Sequence, residues 1–135
     1  MWPVRIYYED TDSGGVVYYA NYLKFMERAR TEGLRALGYE QDVLTARHGV
    51  IFAVRSVAVE FIKPARFNDL LHVSAAVTHI DRASLSFEQQ VSRVVDERDG
   101  EPLASGHIRI VCLEARSFKL RSIPSNLKKD LESAG

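Results

Sequence analysis

Several features that mark specialised protein classes are scarce or missing in this chain of 135 residues. It contains a single cysteine, Cys112, so no disulfide can form within the chain and a reducing compartment is expected. Its 18 basic and 18 acidic residues balance, which gives no indication of a nucleic acid or an anionic membrane as partner. No apolar run is long enough to cross a bilayer, and the amino terminus lacks the pattern of a secretory signal. These absences predict a cytoplasmic protein without nucleic-acid binding or membrane insertion.

The overall amino-acid composition is typical of a folded domain. Hydrophobic residues make up 46% of the chain and charged residues 27%, which excludes the disordered and fibrous classes. A chain of this length builds one hydrophobic core but not two. We therefore predict a single domain over residues 1–135.

One long helix is predicted from the spacing of apolar side chains, which recur at intervals of three and four residues. Gly38 follows the last of them and is a candidate C-terminal cap. The predicted buried stripe consists of Tyr18, Tyr22, Phe25, Met26, Ala29, Gly33 and Leu37.

Strands are predicted on both sides of this helix. A short one covers residues 4–8, and from residue 50 onward apolar and polar residues alternate as in half-buried strands. The alternating segments lie near residues 50–61, 71–77, 85–91 and 104–112, with turns at 81–83 and 99–102. Short helices are expected near 42–47 and 124–131. This order predicts an α+β fold with an antiparallel five-stranded sheet, and because one helix cannot cover it, another subunit should close an exposed edge or face.

The segment between the first strand and the helix carries the candidate chemistry. Asp10 and Asp12 are followed by Gly14 and Gly15, just ahead of the helix start. Unpaired backbone N–H groups at a helix start hold an oxyanion, and glycines let a substrate carbonyl approach them closely. A carboxylate beside an oxyanion hole is the minimum apparatus for acyl transfer.

Two other interpretations of these aspartates need to be weighed. An aspartate ahead of a helix is often only its N-cap, and spacing alone favours that role. Asp10, Asp12 and Gly15 also match positions one, three and six of a calcium-binding EF-hand loop, but position twelve is Asn21 where a bidentate glutamate is needed. The calcium interpretation therefore fails on the residues themselves.

The chain as a whole resembles the 4-hydroxybenzoyl-CoA thioesterase family of hot-dog proteins, in particular its Tol-Pal-associated acyl-CoA thioesterase branch. The resemblance rests on the motif Asp-x-Asp-x-x-Gly-x-Val with following aromatic residues and Asn-Tyr. Further matches extend over nearly the full chain. The matching segments are residues 10–22, 27–32, 60–69 and 83–89.

The resemblance implies a hot-dog fold, in which the sheet wraps around the long helix, and it assigns roles to residues. Asp12 corresponds to the catalytic aspartate, the backbone N–H of Tyr19 to the group that polarises the thioester carbonyl, and Gly15 to the residue that shapes the turn. The Tol-Pal-associated branch often has histidine at the position of Tyr19, whereas family members with aromatic substrates can have tyrosine. The class of acyl group therefore stays open, as does the choice between nucleophile and general base for Asp12.

The resemblance also implies an acyl-CoA substrate and no cofactor. No metal is expected, because the carboxylate spacing fails the calcium pattern and the histidines do not converge. Active sites are expected at subunit interfaces in a homotetramer built as a dimer of dimers. Tyr18 is a candidate for substrate contact. Basic side chains that could hold the coenzyme A phosphates are Arg66, Arg82 and Lys119, each equally compatible with a solvated surface charge.

Other reactive side chains give weaker signals. His72 and His79 are seven residues apart on one predicted strand, which would place them on opposite faces and exclude a shared metal. Cys112 alternates in phase with Ile108 and Ile110, as a buried small hydrophobic residue does.

Two alternative functions fit the sequence less well. A hot-dog dehydratase or hydratase would need a histidine in the pocket, and the motif segment contains none. A non-catalytic acyl-CoA sensor or scaffold would gain nothing from burying the Asp12 carboxylate near a thioester.

Overall fold

The structure, a computed structural model, describes residues 1–134. In chain order its elements are β1 (Trp2–Arg5), a one-turn 3₁₀ helix (Tyr8–Asp10), α1 (Tyr19–Ala36), α2 (Gln41–His48), β2 (Val50–Phe61), β3 (Leu70–Val73), β4 (Ala76–Ile80), β5 (Ser84–Val95), β6 (Arg98–Glu114) and α3 (Ser125–Ala134). The strands form one sheet in the order β1-β3-β5-β6-β2, with β4 also paired to β5. The pairings are antiparallel, which confirms the predicted α+β class.

Helix α1 forms where the apolar spacing predicts it. Its end is set by Gly38, whose φ of 93° places it in the left-handed region. The Gly38 N–H donates to the Arg35 carbonyl at 2.9 Å and the Tyr39 N–H to the Leu34 carbonyl at 3.0 Å, the bond pattern of a Schellman motif. The buried face includes Tyr22, Phe25, Met26, Ala29 and Leu34.

Helix α1 lies close against the sheet at Gly106 of β6. A β-carbon added to Gly106 would come within 3.1 Å of the Met26 Sδ and Cε atoms and of the Ile108 Cδ1 atom. Such contacts are tighter than ordinary packing, so the Met26 and Ile108 side chains would have to shift to admit a larger residue. The core therefore lies between α1 and the strands β5 and β6.

The predicted strand at residues 71–77 is interrupted, so the sheet has six strands and not five. At the break, the Ser74 hydroxyl oxygen accepts the Gln90 N–H at 2.9 Å, taking the place of a backbone carbonyl. The freed Ser74 carbonyl accepts a hydrogen bond from the Gln89 side chain at 3.1 Å. Hydrophobic alternation continues through such a break, which is why the sequence pattern did not reveal it.

The predicted turn at residues 99–102 is wrong. The chain reverses at Asp96 and Glu97, whose φ angles are 50° and 63° as in a tight hairpin turn. Gly100 and Pro102 lie within β6, where the register with β5 shifts. A β-carbon on Gly100 would lie 2.9 Å from the Arg93 carbonyl oxygen, so the glycine permits a close approach of two strands.

The sheet ends at β1 on one side and β2 on the other. Along β2, Val54, Val57 and Phe61 are 51%, 45% and 47% exposed. An exposed apolar edge strand of this length leaves backbone N–H and C=O groups available for pairing with another chain. Within residues 1–134, no helix combines the length and apolar character that a bilayer crossing requires.

Candidate active site

Asp12 opens a hairpin turn that closes on itself. The Asp12 N–H donates to the Val16 carbonyl at 2.9 Å, and the Gly15 N–H donates to the Asp12 carbonyl at 3.1 Å. Gly15 has a φ of 79°, so the turn requires a residue that tolerates the left-handed region. One carboxylate oxygen of Asp12 accepts the Gly14 N–H at 2.8 Å. This hydrogen bond orients the side chain through one carboxylate oxygen. The second oxygen has no hydrogen-bond donor among residues 1–134.

The N-cap interpretation is wrong for both aspartates. The N-cap of α1 is Tyr18, and no side chain caps the helix there. The Asp10 carboxylate accepts the Tyr7 N–H at 2.9 Å, within the 3₁₀ turn. The Asp10 carbonyl accepts the Tyr18 N–H at 3.0 Å and the side-chain amide of Asn21 at 2.9 Å. The Tyr18 amide is therefore occupied, and Asn21 fastens the turn to the helix.

The first free amide of α1 is that of Tyr19. In the described part of the chain, neither the Tyr19 N–H nor the Ala20 N–H has an acceptor, whereas the Asn21 N–H bonds to the Tyr18 carbonyl at 2.9 Å. These two donors lie at the positive end of the α1 dipole. The arrangement can stabilise negative charge on an oxygen atom placed there.

The segment of residues 62–69, here called the β2–β3 loop, supports the hairpin turn. The Ala65 carbonyl accepts the Val17 N–H at 2.9 Å, and the Ala65 N–H donates to the Tyr22 hydroxyl at 2.9 Å. Burial raises the pKa of Tyr22 above its ordinary value. Arg66 forms a β-bridge with Val16, which brings this predicted phosphate ligand next to the turn. The role of Tyr22 was missed from the sequence, where it appeared only as one member of the buried stripe.

A cluster of ion pairs fastens the β2–β3 loop to the sheet. Arg93 on β5 pairs with Asp69 at 3.1 Å and with Glu101, and it donates to the Pro64 carbonyl at 3.0 Å. Lys63 pairs with Glu101 at 2.7 Å. The hydrogen bond from Lys63, with further help from Arg93, holds the pKa of Glu101 below its ordinary value. The cluster therefore fixes the loop that positions Asp12.

An aromatic pocket of about 220 Å³ lies beside Tyr19. Its walls include Val17 and the rings of Tyr19, Tyr22 and Phe61, and Lys63 also lines it. The Phe61 ring lies 6.1 Å from the Tyr19 ring and 5.4 Å from the Tyr22 ring, both in edge-on geometry. The pocket is suited to an apolar group next to the free amide.

Three expectations about burial are wrong for the single chain, and one concerns Gly33 of the predicted stripe, which is exposed. Tyr18 was placed in the core stripe, but it is 46% exposed and its ring lies against that of Tyr19 at 4.6 Å. The hydrogen bond with the Tyr19 hydroxyl raises the pKa of Tyr18. Asp12 is exposed as well, not buried. Both side chains face outward because the turn and the N-cap residue of α1 lie at the surface of the chain.

Arg82 and Lys119 lie at the other end of the sheet. Arg82 donates to the Ser122 hydroxyl at 2.8 Å, and Ala83, the next residue, bonds to Cys112 of β6. The Lys119 carbonyl accepts the Glu114 N–H at 2.8 Å. The β2–β3 loop, by contrast, meets β6 at Leu103, and nine residues of strand separate it from Cys112, roughly 30 Å. Within one chain, neither cation shares a site with Asp12.

The remaining reactive groups form no second catalytic cluster. His72 pairs with Ser92 of β5, and His79 pairs with Ser86. Because of the break after β3, the two histidines lie on the same face of the sheet, but they are about 20 Å apart. Over residues 1–134, no group of three or more His, Cys, Asp or Glu side chains is placed to hold a metal. Cys112 is buried as predicted, and burial raises the pKa of its thiol, so it stays protonated at neutral pH.

Comparison with known proteins gives matches along nearly the whole chain. The sequence profile of the thioesterase-like superfamily matches residues 7–131. The acyl-CoA thioester hydrolase YbgC of Escherichia coli is 40% identical over 126 residues, which cover 93% of this chain and 90% of that protein.

Solved structures also match over nearly the whole chain. A probable thioesterase from Bartonella henselae is 31% identical with a TM-score of 0.82, over 91% of this chain and 97% of its own. A hypothetical protein from Thermus thermophilus is 28% identical with a TM-score of 0.87, and the match covers 99% of this chain and 98% of that protein. The chain belongs to the thioesterase-like superfamily and has the hot-dog fold that its sequence resemblance implied.

Proposed function

We propose that the protein hydrolyses acyl-CoA thioesters to a carboxylic acid and coenzyme A, with Asp12 as the catalytic carboxylate. The observation that carries the proposal is that two groups, one on the turn ahead of α1 and one at its first residue, both have unused hydrogen-bonding capacity within the described residues. Asp12 has one oxygen free on a closed turn, and the Tyr19 N–H has no acceptor within residues 1–134. The names of the relatives support the substrate class, since the Escherichia coli protein is described as an acyl-CoA thioester hydrolase.

The reaction begins when the thioester oxygen accepts the Tyr19 N–H. Negative charge that develops on this oxygen is stabilised by the amide and by the α1 dipole. In one route, Asp12 attacks the carbonyl carbon, the C–S bond breaks, coenzyme A leaves as a thiolate, and water cleaves the resulting mixed anhydride. In the other, Asp12 takes a proton from a water molecule whose oxygen attacks. Both routes consume one water and release the acid and coenzyme A.

The pocket of Tyr19, Tyr22 and Phe61 is the proposed place for the acyl group. Its volume of about 220 Å³ is below the 300–1,000 Å³ common for small-molecule sites, and its walls are aromatic. A short or aromatic acyl group fits it better than a long chain. Arg66, next to the turn, is the proposed phosphate ligand from the same chain, whereas Arg82 and Lys119 would contribute only from another subunit.

We further propose that a second copy of the chain covers the site. Tyr18, Tyr19 and Phe61 are all substantially exposed beside the open β2 edge, and Asp12 is exposed too. Pairing at this edge would exclude water from the amide and strengthen its interaction with the oxyanion. A cytoplasmic dimer of dimers is the assembly that we expect.

The proposal is tested by thiol release from acetyl-, octanoyl- and benzoyl-CoA with the purified protein. We expect turnover that saturates, with the best kcat/KM for the short or the aromatic acyl group. Saturable binding of all three compounds without thiol release would instead indicate a sensor or scaffold. A single-turnover reaction in heavy-oxygen water tests for the first route: label in the Asp12 side chain would identify a mixed anhydride that water cleaves at the Asp12 carbonyl, because the second route leaves no label there.

A further inference from the structure

A second cavity, of about 410 Å³, lies between the carboxyl-terminal half of α1, strand β4 and the end of α3. It begins at Arg30, eleven residues along α1 from Tyr19 and therefore roughly 16 Å from the proposed active site. It is distinct from the pocket of Tyr19, Tyr22 and Phe61. The apolar side chains that line it are Leu34, Leu37, Val77, Phe87 and Leu131.

Arg30 is the one charged residue that lines this cavity among the described residues, and it is only 9% exposed. Its guanidinium makes one side-chain hydrogen bond in the described chain, to the Gln89 carbonyl oxygen at 2.9 Å. Gln89 is held in turn, since its amide donates to the Met26 carbonyl at 2.9 Å and the Ser74 carbonyl at 3.1 Å. Most of the five N–H donors of Arg30 thus lack a protein acceptor. Among the described residues no fully buried side-chain nitrogen is without a partner, so these donors are open to solvent and available to a ligand.

No carboxylate within residues 1–134 forms an ion pair with Arg30. Glu27, one helical turn earlier, accepts the Thr31 hydroxyl at 3.2 Å. Burial lowers the pKa of Arg30, partly opposed by the charge of Glu27, but a guanidinium remains protonated at neutral pH. An anion that enters the cavity would meet a guanidinium that has no carboxylate partner in the described chain and is largely screened from bulk water, which strengthens a charge-assisted hydrogen bond.

Gly33 supplies an independent observation. It lies inside α1, where glycine is the least favourable residue apart from proline. A β-carbon added to it would meet no atom within 4 Å, so packing in this chain does not require glycine there. Gly33 and Ala75 also line a neighbouring cavity of about 350 Å³ that reaches Trp2. The glycine keeps open a groove that continues from one cavity to the other.

We propose that this surface, the Arg30 groove, binds an aliphatic carboxylate. The carboxylate accepts two hydrogen bonds from the Arg30 guanidinium, whose fork of donors matches its two oxygens. The hydrocarbon chain lies across Gly33, against the apolar wall that Leu34 and Leu37 help to form. The site is independent of thioester hydrolysis, because it uses neither Asp12 nor the Tyr19 amide.

The test is isothermal titration of octanoate into the full chain carrying Asp12→Asn, which is compared with the unchanged chain to separate binding at the active site. We expect one octanoate per chain in both, with octanol and acetate at least tenfold weaker because each lacks one half of the ligand. Arg30→Gln should weaken binding about tenfold or more. Gly33→Leu should abolish binding while the melting temperature stays the same or rises, and Gly33→Ala, the matched control, should retain most of it.

Three results would overturn the inference. Octanoate could fail to bind saturably, or it could bind equally well after Arg30→Gln and Gly33→Leu. The two variants could also separate the subunits without changing octanoate binding, which would identify the Arg30 groove as a contact with a second copy. None of these results bears on whether thioesters are hydrolysed, which thiol release measures separately.

Discussion

The Tyr22 hydroxyl accepts the backbone N–H of Ala65 at 2.9 Å. The carbonyl of the same Ala65 accepts the N–H of Val17 at 2.9 Å. One residue of the β2–β3 loop therefore joins the first turn of α1 to the hairpin that carries Asp12. The geometry between the carboxylate and the Tyr19 amide depends on a contact between segments more than forty residues apart, as the separation of 43 between Tyr22 and Ala65 shows.

Replacing Tyr22 with phenylalanine should destabilise the fold. The ring stays in place, but the buried Ala65 N–H loses its acceptor, which costs about 1–3 kcal/mol in the free energy of unfolding. Urea denaturation measures this loss. Tyr18→Phe, which removes an exposed hydroxyl, is the control for stability and should change it by no more than about 0.5 kcal/mol. Equal stability of the two variants would mean that the Tyr22–Ala65 bond does not support the loop.

Asp12→Asn should reduce kcat by at least about 100-fold, because it removes the charge that attack or base catalysis requires. Asparagine retains the oxygen that accepts the Gly14 N–H, so the melting temperature should be nearly unchanged. Asp10→Asn, whose carboxylate serves only the 3₁₀ turn, is the matched control and should be milder. Normal turnover by Asp12→Asn would exclude the proposed mechanism.

The Tyr19 amide can be removed by Tyr19→Pro, since Tyr19 is the first residue of α1, where proline is tolerated. Tyr18 already has the extended conformation that precedes a proline, with φ −61° and ψ 131°. We expect kcat to fall about 10²- to 10³-fold, the effect of losing one oxyanion donor. Tyr19→Ala also loses the ring but keeps the N–H, so it should lose much less. If both variants had the same kcat, the amide would not be the oxyanion donor.

Glu101 should contribute to stability in a pH-dependent manner. Lys63 and Arg93 hold its folded-state pKa below the ordinary value of 4.5, so the charged carboxylate is favoured in the folded protein. This contribution is fully present above about pH 4.5 and disappears as the pH falls through the folded-state pKa. Melting curves across this range should show Glu101→Gln less stable than the unchanged protein at neutral pH and equal to it in acid. A difference independent of pH would contradict this account.

Val57→Lys should disrupt self-association, because it places a charge on the exposed β2 edge where we expect a second chain to pair. Light scattering should show a smaller particle, and kcat should fall if the partner covers Asp12. Val43→Lys, an exposed position on α2, is the control. A monomeric unchanged protein with full activity at micromolar concentration would contradict the interface site.

The features that the sequence predicted are those with a local signal. The buried stripe of α1 follows from residues three and four apart, and the Gly38 cap follows from the glycine itself. The position of Asp12 before the helix start came from a motif within thirteen residues, together with the resemblance that gave it a role. In each case the interacting residues are neighbours along the chain.

The features that the sequence did not predict depend on distant pairings or on backbone angles. Asp96 and Glu97 adopt positive φ without a glycine or asparagine to signal the turn, and Gly100 and Pro102 instead mark register shifts. Nothing local links Ala65 to Tyr22. The separation of Arg82 from Asp12 likewise depends on strand order, which no single segment contains.

The hairpin that carries Asp12 has a fixed length. Thr11 forms an isolated bridge with Val17, and the Asp12 N–H reaches the Val16 carbonyl, so both ends of the segment are paired. One inserted or deleted residue would shift this register and turn the carboxylate away from the helix start. Ser13, exposed at the tip, makes no side-chain hydrogen bond within residues 1–134. We therefore expect this segment to tolerate substitutions at Ser13 but not insertions or deletions.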